Sequence, residues 1–386
     1  MASAKWHREK FYRFSDPVTG VVVTRLTGPE NNCHHPYFYC RAFSRDGRLL
    51  LYSSDRSGRP GLYVLSLETA ESLFLTDEPG LDTFMATFTT DGRFLYYSVG
   101  DVLYRLELKT LKCEEVYRQS APYNGRGIYP GYSDDFQLAL LAQMHRDDVY
   151  HGQQGWDFFQ PQCRLKPRCR LVLVNLSTGQ EKIVLEEKCW LGHPQIRPGD
   201  PDTLMYCHEG PHYLIDTRIW LIRADGTGQR PLGYVRKTPA SGSSEIVTHE
   251  YFTPDGRYIA YTHFPGTYGQ QGSIRMTQID TGKEVNLGYV HNYSHPYHSP
   301  DSRFVVGDEM KKTAPGSACL WLLEIATRQE KVLCRHGSSF APRGRSTQDA
   351  HPHPNFSPDS RLVVFTSDLA SSSTGNCSVY LVPVVT

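Results

Sequence analysis

The sequence is short of the features that mark most functional classes. Among its 386 residues no apolar run approaches the length of a membrane span, so no membrane partner is expected. The opening stretch, "MASAKWHREKFYRFSDP", has no apolar signal-peptide core, which makes the cytoplasm the expected compartment. Charge is in balance, 41 basic against 41 acidic residues, so no electrostatic grip on nucleic acid is expected. There is no CxxC pair, and Cys163 and Cys169 are separated by five residues that include Pro and Arg, which disfavours a cysteine zinc site. The 10 cysteines sit scattered in strand-like settings such as "LMYCHEG" and "NCSVYLV". Without an export signal they read as buried, reduced thiols. Nor does any stretch hold a helical period long enough to argue for βαβ units.

What the chain has instead is turn formers and aromatics. Gly and Pro together number 57, beside 24 Tyr and 17 Phe, a mix suited to an all-β protein of many short strands. Seven segments repeat one pattern, a turn rich in Pro, Asp and Gly followed by a short apolar strand. They are "SRDGRLLLYSSD" from Ser44, "TTDGRFLYYSV" from Thr89, "SDDFQLALLA" from Ser133 and "RPGDPDTLMYC" from Arg197. "TPDGRYIAYTH" from Thr253, "SPDSRFVVGD" from Ser299 and "SPDSRLVVFTSD" from Ser357 complete the set. The third and fourth are degenerate. A second strand pair follows most of them, so each unit reads as a four-stranded antiparallel meander. Seven such units predict a seven-bladed β-propeller, formed as a single domain over residues 1–386. N-terminal "GVVVTRLTG" is expected to pair beside C-terminal "SVYLVPVV" and close the last blade. Segment 145–169 lacks strand periodicity and reads as a loop over one face, where function concentrates.

The repeat also serves as a ruler. Five residues before the turn proline stand His193, His249, His295 and His353, in four consecutive units. The corresponding residues of the first three units are Cys40, Met85 and Tyr129. First strands line the channel of a propeller, so the four imidazoles are expected to face one another across part of its mouth. A lone strand histidine is usually a satisfied structural residue. Four in phase, in a chain with only 16 histidines, favour a site. His351 shares strand parity with His353 and can point the same way. Pro352 between them has no N–H to donate, which an edge strand tolerates. Gln348 has the opposite parity and joins them only if the chain turns just before the strand. Imidazoles with an amide oxygen suit Mn, Fe, Co, Ni or Zn. So few protein ligands leave positions open, which points to a catalytic metal.

The stretches "WLGHPQIRPGD", "CHEGPHYLIDTRIWLI", "THEYFTPDG", "SHP" and "QDAHPHPNFSPDSRLVVFTSD" resemble those of the oligogalacturonate lyases. These are seven-bladed propeller enzymes of polysaccharide lyase family 22. N-terminal "TGVVVTRLTGPENNCHHPYFY" extends the resemblance over nearly the whole chain. It implies a divalent metal, Mn2+ above all, held by His295, Gln348, His351 and His353. It further implies His249 of the "THE" motif as catalytic base and Arg218 as a substrate-facing catalytic residue. The implied reaction is β-elimination within short 1,4-linked galacturonides, part of pectin degradation inside the cell.

The chemistry of the residues agrees with that implication. Elimination removes the proton at C5 of a uronide, next to a carboxylate, and a metal on that carboxylate withdraws the charge that forms. A neutral histidine is a fitting base near physiological pH. A guanidinium pairs bidentately with a carboxylate, which suits Arg218. His208, Glu209 and His212 of "CHEGPH" read as a rim contacting substrate, and His193 as a substrate contact. His34, His35 and Tyr37 of "CHHPYFY" read either as strand core or as sugar platforms.

The sequence departs from the family form at "VRKTPASGSSEI", after "SHP", and between Lys311 and Ser346. These departures keep a glucuronide or mixed uronic-acid oligosaccharide as an alternative substrate. A metal-dependent hydrolase and a non-catalytic propeller scaffold are the competing classes. The histidines in phase argue against the scaffold, and no carboxylate pair spaced for glycoside hydrolysis stands out.

Overall fold

The computed structural model describes residues 6–153, 155–233, 245–266, 272–291, 293–310, 318–341, 350–371 and 375–384. They form seven antiparallel sheets, five built wholly from strands consecutive in the chain and two that also take in strands from the N-terminal segment. These are the blades of a seven-bladed β-propeller, spanning 33–76, 81–118, 130–188, 191–231, 246–290, 297–335 and 355–383. Each of the seven repeats supplies a second strand, from Leu49–Ser54 in the first blade to Leu362–Ser367 in the seventh.

The five clear repeats share one piece of turn chemistry. The hydroxyls of Ser44, Thr89, Thr253, Ser299 and Ser357 each donate at 2.6 Å to an aspartate two residues on. The same hydroxyl oxygen accepts the backbone N–H five residues on, at 2.9–3.1 Å. Side chain thus replaces backbone as the partner at the turn, which is why Ser/Thr-x-Asp recurs. The residue after the aspartate has positive φ: Gly47, Gly92 and Gly256, but Ser302 and Ser360 in the last two repeats. Glycine takes that conformation without penalty, and serine takes it at a small cost.

The N-terminal segment Val22–Arg25 pairs with Ser378–Pro383, Thr24 opposite Leu381 and Arg25 opposite Tyr380, as its apolar run predicts. Tyr12–Ser15 adds outside it, and Trp6–Arg8 adds an outer strand to the first blade. Segment 145–169 differs from the expected loop. It holds two 3-10 turns followed by a short helix, Phe159–Arg164, and a strand that starts at Arg168. Pro161 inside so short a helix hides it from any periodicity test. All 10 cysteines are free thiols, most of them buried, as expected.

Contacts divide the chain into two compact units, one of residues 1–97, 106–112 and 290–386, the other of 98–105 and 113–289. The first has cores around Val306, Leu322, Phe365 and Tyr380, and around Leu50, Tyr52 and Leu65. The second has cores around Leu140, Leu171 and Tyr206, and around Leu221, Ile259 and Tyr261. No helix among the described residues is long and apolar enough to cross a membrane.

Candidate functional site

The repeat position of the four histidines has a structural cause. His193 and His249 lie on the first strands of their blades, which are sheet-edge strands. In the fourth blade Gly192 pairs with Cys207 and Gln195 with Met205, three steps against two. In the fifth, Thr248 pairs with Thr262 and Tyr251 with Ala260, again three against two. Each strand carries one extra residue there, a β-bulge, and such bulges re-aim a side chain. His193 and His249 sit in these bulges at φ +46° and +56°, and His353 has φ +45°. Non-glycine residues rarely adopt this conformation, so three in-phase histidines holding it mark a common device.

The first unit gathers three of the predicted metal ligands. His295, His351 and His353 are all buried, and each offers a ring nitrogen within 4.8 Å of the others'. Ring centroids lie 4.2 Å apart for His295 and His353, 5.3 Å for His295 and His351, and 5.6 Å for His351 and His353. Asp308, fully buried, accepts from the Nδ1–H of His295 at 2.8 Å and from its backbone N–H at 2.6 Å. This is the arrangement found where a carboxylate orients a metal-binding imidazole. His351 Nδ1 is buried with no hydrogen-bond partner. Burial, reinforced by neighbouring His295, pushes His351 down to about 3, so its ring is neutral at physiological pH.

Tyr37 and Phe84 pack edge-on against His353, and Phe38 leans on His295. A lone orphaned nitrogen would cost free energy, whereas three imidazoles in aromatic surroundings fit a borderline divalent cation. Gln348, the fourth predicted ligand, lies outside the described residues.

The second unit gathers charge. Arg218 donates from Nε to Glu250 at 2.8 Å and from both terminal nitrogens to Glu209, at 3.1 and 3.4 Å. His193 lies between the same carboxylates, Nδ1 at 3.0 Å from Glu250 and Nε2 at 3.7 Å from Glu209. Burial alone would raise both glutamates, but Arg218 and His193 outweigh it. Glu250 is held well below the usual carboxylate range and Glu209 is lowered as well. His193 is raised, because its carboxylate neighbours overcome the burial that would lower it.

His193, Cys207 and Glu250 also come within ligating distance of one another. Arg218 already supplies the cation there, and burial pushes the Cys207 thiol well above its ordinary value. A metal ion is therefore disfavoured at this second cluster. His249 is buried and directly precedes Glu250 in the chain.

The remaining expected contacts are more dispersed. His208 bonds Glu187 at 3.1 Å and packs on Trp220, while His212 opens a 3-10 turn against Tyr213. His34 stacks on Phe84 and bonds Thr83. Sequence reasoning missed Asp308 and Glu250 as partners of site residues. The "THE" motif did place Glu250 beside His249, and that was the available signal. Of the departures, "VRKTPASGSSEI" lies outside the described residues up to Ser244 and the Lys311–Ser346 stretch does so at 311–317 and 342–346, while the residues after "SHP" are described.

Comparisons with known proteins point one way. The family described as oligogalacturonate lyase matches residues 1–385. The oligogalacturonate lyase of Dickeya dadantii strain 3937 is 32% identical, over 100% of this chain and 98% of its own. The solved structure of an oligogalacturonate lyase in complex with manganese superposes with TM-score 0.90 at 32% identity, covering 100% of this chain and 99% of the other. That of the Vibrio parahaemolyticus oligogalacturonate lyase gives TM-score 0.90 at 30% identity, covering 100% and 99%. With the family matched end to end and its expected histidines gathered in place, this chain belongs to the oligogalacturonate lyase family.

Proposed function

We propose that this chain cleaves short 1,4-linked galacturonides by β-elimination, in the cytoplasm, with manganese as the resident metal. The observation that carries the reading is the triad of buried imidazoles with an orphaned His351 Nδ1. His295, His351 and His353, with Gln348, would hold the ion, which when bound supplies Lewis-acid polarisation of the uronate carboxylate. His249 takes the C5 proton. The electron pair left behind forms the C4–C5 double bond as the C4–O bond breaks, and the leaving oxygen takes up a proton. Three of the five N–H donors of Arg218 are used by Glu209 and Glu250, so a remaining terminal N–H can meet a uronate carboxylate. The two glutamates fix the plane of the guanidinium before substrate arrives, which saves ordering cost on binding. His193, His208 and His212 contact substrate at the rim in this reading, His193 also serving to hold Glu250.

A hydrolase is disfavoured by a specific observation. Glu209 and Glu250 form a carboxylate pair through Arg218, yet both are held below their ordinary range. Glycoside hydrolysis needs one carboxyl kept protonated by a raised pKa. The test is ultraviolet absorbance of the unsaturated uronide formed from digalacturonate by purified protein. Absorbance should grow, stop with a chelator and return with manganese. Glucuronide substrates turned over while digalacturonate stays intact would move the reading to another uronide.

A further inference from the structure

The chain from Ala350 to Pro354 carries two of the three clustered imidazoles and has little means of holding itself. Pro352 and Pro354 have no N–H to donate, the seventh blade's first strand begins only at Asn355, and His353 has φ +45°. Two consecutive carbonyls of this segment are nevertheless fastened. The Thr366 backbone N–H donates to Pro352 O at 3.0 Å, and His35 Nε2 lies 2.7 Å from His353 O. A carbonyl oxygen only accepts, so the His35 proton is on Nε2. His35 Nδ1 then accepts from the Thr366 hydroxyl, 2.8 Å away. The same hydroxyl oxygen takes the His35 backbone N–H at 3.4 Å. One threonine thus holds the Pro352 carbonyl directly and sets the tautomer of the histidine that holds the next.

We propose that His35, with its tautomer set by Thr366, is a positioning residue that fixes the backbone of the His351–His353 segment for metal binding. The proposal rests on the reading of the triad as the metal centre. His35 is fully buried and touches the ligand's carbonyl, leaving its own ring out of the ligand set. A histidine satisfying its core environment and nothing more would explain the burial. It would not explain why one of its nitrogens holds the His353 carbonyl while the other is bonded by the threonine that holds the neighbouring Pro352 carbonyl, where the chain takes a rarely populated backbone conformation. Partners of metal ligands typically change metal affinity roughly ten- to hundred-fold when removed.

The experiment titrates manganese into metal-free protein by calorimetry, with thermal melting run alongside. Wild type should bind one equivalent, and His353→Ala should lose it. His35→Leu should weaken binding roughly ten- to hundred-fold. His35→Gln, which keeps a donor, should recover most of the affinity, and Thr366→Val should fall between. Leu65→Ala, a core truncation in the first blade, should lower the melting temperature without changing affinity. If His35→Leu fails to fold, His35→Gln and Thr366→Val still decide. Variants that melt earlier but bind manganese as wild type does would overturn the positioning role while leaving the metal centre standing. Wild type that binds no manganese, or His353→Ala that binds it normally, would remove the metal centre and this role together.

Discussion

His353 and His249 occupy the same repeat position with nearly the same backbone, φ +45° and +56°, yet the groups around them are opposite in kind. Around His353 are two more imidazoles and an aromatic wall, with one buried carboxylate bonded to His295. Around His249 the chain supplies Glu250, which is tied to Arg218 and His193. The first setting favours neutral nitrogen and so accepts a cation. The second already balances its own charges and has nothing to offer a metal. The difference shows that one backbone device, a histidine held at positive φ on or just before the first strand of its blade, sets direction only. Chemistry is decided by the residues that other strands bring beside it.

The largest expected effects should separate the two regions. His249→Asn should lower kcat by roughly 10²–10⁴-fold, the usual contribution of a positioned base, with manganese affinity unchanged. His351→Ala should abolish both activity and binding. Equal loss of metal in both variants would erase the distinction. Next in size, Glu250→Gln breaks a buried ion pair and should cost about 3–5 kcal/mol of stability, read by denaturant unfolding, without touching metal affinity. Asp308→Asn should do the reverse, costing roughly ten- to hundred-fold in manganese affinity with a smaller change in stability.

A subtler contrast lies in pH dependence of the metal-free melting temperature. Burial holds His336 down to about 4 from its ordinary 6.5, against the opposing pull of Asp308 and Glu309, while Arg335 adds to the lowering. The unfolded chain takes up that proton near 6.5 and the folded protein resists until about 4. Its contribution is therefore whole above 6.5 and is lost as pH falls toward 4. His193, raised by Glu250 and Glu209 against Arg218, behaves oppositely. Its contribution is complete below 6.5 and is lost as pH rises through its folded value. Glu209 and Glu250 add stability above 4.5 that disappears as pH falls through their lowered values. His336→Gln should reduce the loss between 6.5 and 4, to which buried His35 and His351 also contribute, and His193→Gln the loss on the alkaline side. The smallest effect is a control on the backbone device. Ser302→Gly, at φ +57° with no site role, should stabilise by about 1 kcal/mol or less, the relief of left-handed strain minus the entropy glycine loses on folding.

Much of this was legible in the sequence, because the repeat is local. Ser/Thr-x-Asp turns are read from adjacent residues, and they fix the phase that exposes the four histidines. The same locality explains the misses. Helix Phe159–Arg164 is too short, and contains Pro161, so it has no period to read. Arg218, Glu209 and Glu250 lie on different strands and loops, so their mutual pairing appears only once the blade is folded. His35 and the carbonyl it holds are 318 residues apart in sequence. They meet because the N-terminal segment pairs into the same sheet as the C-terminal strand.

The account's central claim is that metal-dependent elimination, rather than hydrolysis, is the reaction. Mass spectrometry of the products from digalacturonate tests it most directly, run with manganese and again with chelator. The prediction is one galacturonate and one product lighter by a single water, formed with manganese and absent with chelator. Two intact galacturonates, or product formation indifferent to chelation, would contradict it.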